Sequence, residues 1–213
     1  MVAAAAAASG ALSGTQDGNT AASAAEPANA AAFAVRSSPR DGHPALGPLD
    51  SPDVLILFMD YQCPVCPRAA REMSKLVEDM AGALRVEIWQ SPLAMHRDAF
   101  DAAAAALAAQ RQGKFWEYHD RLLESRRHDR QTLIALAERA GCEREAFLRD
   151  LDDPELRARI KADMEAAGKG GTQATPAFLI NGHWENGWAS YEWIKGIVLK
   201  HRSAAMPLSH SKP

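Results

Sequence analysis

Three cysteines in 213 residues are too few for the disulfide framework of a small secreted scaffold, which needs an even and denser set. Long hydrophobic runs are missing as well. The densest apolar stretch, VLILFM at 54–59, falls far short of the roughly 20 residues that cross a bilayer, and DAAAAALAAQ at 101–110 is alanine-rich with charged flanks. No integral membrane segment is expected. Nor does charge of one sign dominate: 24 Lys and Arg against 27 Asp and Glu leave a net charge of −3. That balance carries no electrostatic footprint for nucleic acid or an anionic membrane. What remains is a globular composition, 47% hydrophobic and 24% charged, sufficient for one good core.

Residues 1–44 are a different material, built of Ala, Ser, Gly, Asn and Pro with few large apolar side chains. Such a stretch cannot bury enough surface to offset its ordering entropy, so a disordered tail or tether is expected, or a signal remnant. A clear signal peptide is not legible. No Lys or Arg precedes Arg36, and the alanine run makes a poor hydrophobic region. The folded domain is expected over 45–203, with a flexible C-terminus at 204–213.

From residue 47 the pattern becomes regular. Asp53 to Asp60 is a short apolar run behind turn signals, suited to a strand covered on both faces. Residues 64–81 carry Met73, Leu76, Val77 and Met80 at helical spacing, with Gly82 just beyond. LRVEIWQ (84–90) alternates as a strand. Residues 96–168 read as helical, with stops at Gly113, Gly141 and Gly168. TPAFLI (175–180), the Asn181-Gly182 turn and HWENGW predict a hairpin, and Ser190 caps a closing helix. A strand–helix–strand unit implies a parallel pair, to which the hairpin adds antiparallel strands. The fold class is therefore α/β and thioredoxin-like, with a helical insertion over about 93–170.

Cys63 and Cys66, in DYQCPVCPRA, stand at the expected strand-to-helix junction. Unpaired N–H groups and the positive dipole end favour an anion there, and a thiolate is the anion available. A lowered thiol pKa makes Cys63 a nucleophile and a good leaving group, while the two-residue gap, Pro64 and Val65, lets Cys66 reach back. Cys63 is expected to be the exposed thiol and Cys66 the shielded one. A structural zinc site would need four ligands, and the chain offers only Cys142 and scattered histidines besides the pair. No metal is expected. Cys142, His96, His119 and the tryptophans Trp116, Trp184, Trp188 and Trp193 are read as structural.

FMDYQCPVC, SPLAMHRDAFDAAAAALAAQRQGKFWEYHDRLLE and GTQATPAFLING together resemble the DsbA-like thiol–disulfide oxidoreductases of the bacterial cell envelope. The resemblance runs from about Gly47 to Lys200. It implies that Cys63 attacks and Cys66 resolves, that Pro176 is a cis-proline, and that Thr175 offers backbone hydrogen bonds to an extended substrate. Asp60 and Tyr61 would shape the rim. It further implies a cofactor-free enzyme acting on protein substrates with cysteines, recycled by a redox partner, in a periplasmic or extracytoplasmic location. Three departures stand out. Leu57 occupies the position six before Cys63 where many thioredoxin-like enzymes carry a buried acid. Pro67 directly follows Cys66. Val65 stands where strongly oxidising relatives place a histidine, so a milder oxidant with a less depressed Cys63 pKa is expected. The rival reading is a non-catalytic thioredoxin-like chaperone or adaptor.

Overall fold

The computed structural model describes residues 36–39, 42–188 and 190–202. Most of the expected N-terminal tail and the expected flexible C-terminus lie outside the described residues. The chain runs β1 (Arg36–Ser37), β2 (Ala45–Leu46), β3 (Asp53–Met59), α1 (Cys66–Asp79), β4 (Leu84–Gln90), α2 (Ala99–Arg111) and α3 (Phe115–Glu124). There follow α4 (Arg130–Arg139), α5 (Arg144–Leu151), α6 (Pro154–Lys169), β5 (Ala177–Ile180), β6 (His183–Asn186) and α7 (Tyr191–Lys200). This is a thioredoxin-like α/β fold whose helical insertion, α2 to α6, separates β4 from the closing hairpin and helix.

The strands form one sheet in the order β1-β2-β4-β3-β5-β6. β3 and β4 are parallel, with Leu55 opposite Val86, and α1 is the crossover between them. β5 pairs antiparallel to β3 on the other side, which sets Ala177 against Phe58. The hairpin turn follows its sequence signal, because Asn181 (φ 47°) and Gly182 (φ 86°) both take the left-handed conformation such a two-residue turn requires. Asn181 also ties the hairpin to β3: its Oδ1 accepts from the Val54 N–H at 2.9 Å and its Nδ2 donates to Asp53 Oδ1 at 2.9 Å.

On one face of the sheet, α1 buries Ala69, Ala70, Met73, Leu76 and Val77 in the main core. The alanine run proves to be the centre of the insertion. α2 is buried from Ala102 to Gln110 and packs against α3, α4, α5 and α6, because methyl side chains let neighbouring helices approach on every side. On the opposite face Phe58 stacks on Trp184 with centroids 5.2 Å apart, next to Ala167 and Trp89. Trp116 lies in the main core, and Trp188 and Trp193 pack against it.

Four expectations are corrected. α1 begins at Cys66 rather than 64, leaving Pro64 and Val65 outside the helix. The helix expected to stop at Gly168 continues to Lys169, and the left-handed residue that ends it is Gly171 (φ 71°). The pattern over 144–168 is divided, since Asp153 caps a new helix at Pro154. β1 falls inside the stretch read as a tail. It is held by Trp116 Nε1, which donates to the Ser37 carbonyl at 3.1 Å, and by an Arg36–Asp120 ion pair at 2.7 Å.

Candidate active site

β3 ends at Met59 and the chain turns sharply through Asp60 to Val65. The Cys63 N–H donates to the Asp60 carbonyl at 3.2 Å, and the Cys66 N–H to the Cys63 carbonyl at 3.3 Å. Val65 stands at the N-cap without a side-chain cap, and Pro67 occupies the first turn of α1. The amide that Pro67 lacks is one of the four that have no partner inside a helix, so its presence costs the helix nothing.

Cys63 and Cys66 are both thiols in this structure. Cys66 is fully buried, and Cys63 is only 5% exposed, so the expectation of an openly exposed Cys63 does not hold. The cover comes from the far end of the chain, where Cys63 Sγ donates to the Thr175 carbonyl at 3.1 Å. The Thr175–Pro176 peptide bond is cis. The Thr175 hydroxyl is buried and turned towards both sulfurs.

The two thiols are driven apart electrostatically. Cys63 is lowered to about 5, first by the hydrogen bond from the Cys66 thiol and then by the Thr175 side chain and the Val65 and Cys66 amides, against the effect of burial. Cys66 is pushed far above the ordinary thiol range by its bond to Cys63 and by burial. The dominant cause is thus the partner thiol, not the helix terminus on which the sequence argument rested. The shift also needs no histidine between the cysteines. The contact to the Thr175 carbonyl favours the neutral Cys63 thiol, and the donors outweigh it.

Asp60 and Tyr61 do not form a rim, because both are buried beneath the turn. The Tyr61 hydroxyl meets His119 Nδ1 at 2.8 Å, and burial lowers the His119 pKa to about 4. Asp60 Oδ2 meets His96 Nδ1 at 2.7 Å. Sequence reasoning missed this second pair, since no spacing rule joins residues 36 apart. The exposed apolar side chains around the turn are Val65 (39%) and, in the segment joined to Asp60, Met95 (82%). Leu57 is a buried core residue, so β3 carries no acid there. Burial pushes Cys142 up to about 11, which makes it a poor nucleophile. Among the described residues no cluster of His, Cys, Asp or Glu is arranged to hold a metal ion.

The family described as Thioredoxin matches residues 40–199. A solved thioredoxin-like oxidoreductase from Silicibacter pomeroyi DSS-3 is 30% identical, with a TM-score of 0.68 over 74% of this chain and 91% of its own. The thiol-disulfide exchange protein alpha-DsbA2 from Wolbachia pipientis shares the fold at 18% identity, with a TM-score of 0.66 over 74% of this chain and 86% of that one. A curated relative, the Na(+)/H(+) antiporter NhaA 3 of Salinispora tropica, is 33% identical over 162 residues, which are 75% of this chain and 24% of the antiporter. The chain spans about a quarter of the length of the curated relatives it matches. Among the described residues no helix is long and apolar enough to cross a membrane.

Proposed function

This chain belongs to the thioredoxin family, with the fold of its DsbA-like members, and from that premise we propose that it exchanges disulfides with cysteines of other proteins through Cys63 and Cys66. The observation that carries the reading is the separation of the two thiols, with Cys63 held near 5 and Cys66 held protonated beside it. At neutral pH Cys63 is then a thiolate and Cys66 a thiol. Exchange needs this division, in which one sulfur attacks and the other waits.

In the forward direction the Cys63 thiolate attacks one sulfur of a client disulfide. The client S–S bond breaks, and the departing sulfur leaves as a thiolate and takes up a proton. Once Cys63 carries the client sulfur, it no longer accepts the Cys66 thiol's hydrogen bond, and the effect that most raised the Cys66 pKa is gone. Cys66 loses its proton, attacks Cys63 Sγ and releases the second client sulfur, leaving a Cys63–Cys66 disulfide and a reduced client. The reverse sequence oxidises a dithiol client. Thr175 and Pro176, against Cys63, are the residues we assign to gripping an extended client segment. Pro64 and Val65 complete the motif. A second redox protein recycles the pair, no cofactor takes part, and a periplasmic or extracytoplasmic location suits such chemistry.

Insulin reduction by the wild type and by Cys63→Ser tests the reading. Turnover lost with Cys63 is expected. Equal activity in both proteins would leave the chaperone or adaptor reading in its place.

A further inference from the structure

At the end of the sheet that carries the redox turn, β3 lies between β4 and β5. Met59, the last residue of β3, is level with Gln90 of the parallel β4, and Phe58 with Ala177 of the antiparallel β5. The segment leaving β4 and the Thr175–Pro176 segment entering β5 therefore flank the redox turn on opposite sides. The first of these is fastened to the turn. The Ser91 N–H donates to the Met59 carbonyl at 2.8 Å, and the Asp98 N–H to Gln62 Oε1 at 2.7 Å. Between them the His96 N–H donates to the Leu93 carbonyl at 2.9 Å, closing a tight turn with Ala94 and Met95 at its tip. Both ends of that tight turn meet one atom, since Asp60 Oδ2 accepts from the Leu93 N–H at 2.7 Å and meets His96 Nδ1 at 2.7 Å. The Asp60 carboxyl group is closed off from solvent, at 0% exposure, and a buried carboxyl group persists only where its lone pairs are met. The tip is thus held in one place. Met95 on it is 82% exposed, the most open of the large apolar side chains among the described residues.

A single exposed apolar side chain is ordinary on a protein surface. One held at a fixed tip beside a nearly covered nucleophile is placed for contact. We propose that Met95 is a specificity-determining residue that reads one flank of the client cysteine and favours an apolar side chain there. The proposal rests on the oxidoreductase reading above. Cys63 is 5% exposed, so a client segment must lie over the redox turn to reach it. Gripped at Thr175 on one side, that segment crosses Cys63 and continues towards Met95 on the other. Neighbouring strands lie about 4.8 Å apart and an extended chain advances about 3.3 Å per residue, so Met95 meets a client side chain within about two residues of the cysteine. The preference is one-sided, because the exposed neighbours of Thr175 are Gln173 and Ala174, which offer no large apolar surface. A flexible thioether packs against apolar side chains of differing shape, and a tip that is already ordered loses little freedom when it is covered.

The test uses the full chain carrying Cys66→Ala, so that attack is read without resolution. The probe is a short serine-rich peptide whose one cysteine is joined by a disulfide to thionitrobenzoate, with a leucine before the cysteine, after it, or absent. The Cys63 thiolate attacks the peptide sulfur, the bond to thionitrobenzoate breaks, and that coloured thiolate leaves with the electron pair as the Cys63–peptide disulfide forms. Leucine on one flank is expected to speed release about fivefold over the peptide without leucine, and leucine on the other flank to make little difference. Adding Met95→Ser should bring that ratio close to one, while Met95→Leu should keep it. Met95 is exposed, so neither change disturbs the core. Leucine favoured equally on both flanks, no preference for leucine, or a preference that survives Met95→Ser overturns the proposal. A protein that releases no thionitrobenzoate from any peptide, where free glutathione releases it from all, sinks the oxidoreductase reading instead, so the two failures are told apart.

Discussion

The Cys63 sulfur and the Thr175 carbonyl oxygen lie 3.1 Å apart, although 112 residues separate them in the chain. The contact closes the redox turn beneath the strand that enters the hairpin. It leaves Cys63 almost covered while its pKa is among the most displaced of the described groups. On the proposed function, a client would therefore reach a thiolate already surrounded by donors, not a thiol projecting into water.

Cys63 should be alkylated first in the reduced protein, with a rate that titrates at a midpoint near 5 and levels off above it. Cys66 and Cys142, both raised, should react only far more slowly at neutral pH. Peptide mapping after a short iodoacetamide pulse at each pH reads this directly. First labelling of Cys142 would contradict the assignment.

Cys66→Ala removes the largest cause of the Cys63 shift, so the thiolate absorbance should titrate at a clearly higher pH than in the wild type. The same variant should accumulate mixed disulfides with client proteins, because attack survives while intramolecular resolution is lost. An unmoved titration would show that backbone amides, and not the Cys66 thiol, hold the Cys63 anion.

Val65→His adds a donor to a site that has none in that side chain. One pKa unit is about 1.36 kcal/mol of thiolate stabilisation, and about 30 mV corresponds to about 1.4 kcal/mol for a two-electron couple. Stabilising the thiolate stabilises the reduced form and makes the disulfide more oxidising. If Val65→His lowers the Cys63 pKa by about one unit, the potential at pH 7 should rise by about 30 mV. Equilibration against glutathione measures it, and a pKa that falls without a rise in potential defeats the argument.

The reduced protein should gain stability over the oxidised one as pH rises. The Cys63 pKa is depressed on folding, so the unfolded chain holds more protons between about 5 and the ordinary thiol value of about 8.5. Stability from this group is fully present above that window and lost as pH falls through about 5, with a steepest slope of about 1.4 kcal/mol per pH unit. Above about 8.5 the raised Cys66 pKa reverses the trend. Urea unfolding of both redox forms across this range shows the difference, and a flat difference from 5 to 8 contradicts it.

Gly170→Ala would set a Cβ 2.2 Å from the Trp184 ring, which is stacked on Phe58. Its backbone (φ −78°) suits alanine, so only the steric cost remains. Overpacking of this kind costs about 1–3 kcal/mol, read by urea unfolding, while the alkylation midpoint of Cys63 should stay in place. A fully stable variant would mean that Trp184 moves aside freely.

The elements around the site were legible wherever their signal is local. Period-two alternation marks β4, the continuous apolar run marks β3, and Asn181-Gly182 marks the hairpin, because each depends on residues a few positions apart. The CxxC spacing likewise located the two thiols. β1 and β2, each of two residues, leave no periodicity to read and exist only through pairing and the side chains that hold them. The break between α5 and α6 was signalled by Asp153-Pro154 and was passed over inside a strong helical pattern.

What the sequence determines by itself is the choice of groups: two cysteines at a turn, an apolar residue between them, and a leucine where an acid could be. Which effect governs their ionisation was a matter of tertiary structure. Cys63 is lowered first by Cys66, a neighbour in sequence, but only the folded turn orients that thiol as a donor. The Thr175 carbonyl reaches Cys63 because β5 pairs with β3, and His96 reaches Asp60 because β4 runs parallel to β3 and delivers the following loop beside the turn. Hydrogen bonds act over about 3 Å, and only the sheet's strand order brings such distant parts of the chain within that range.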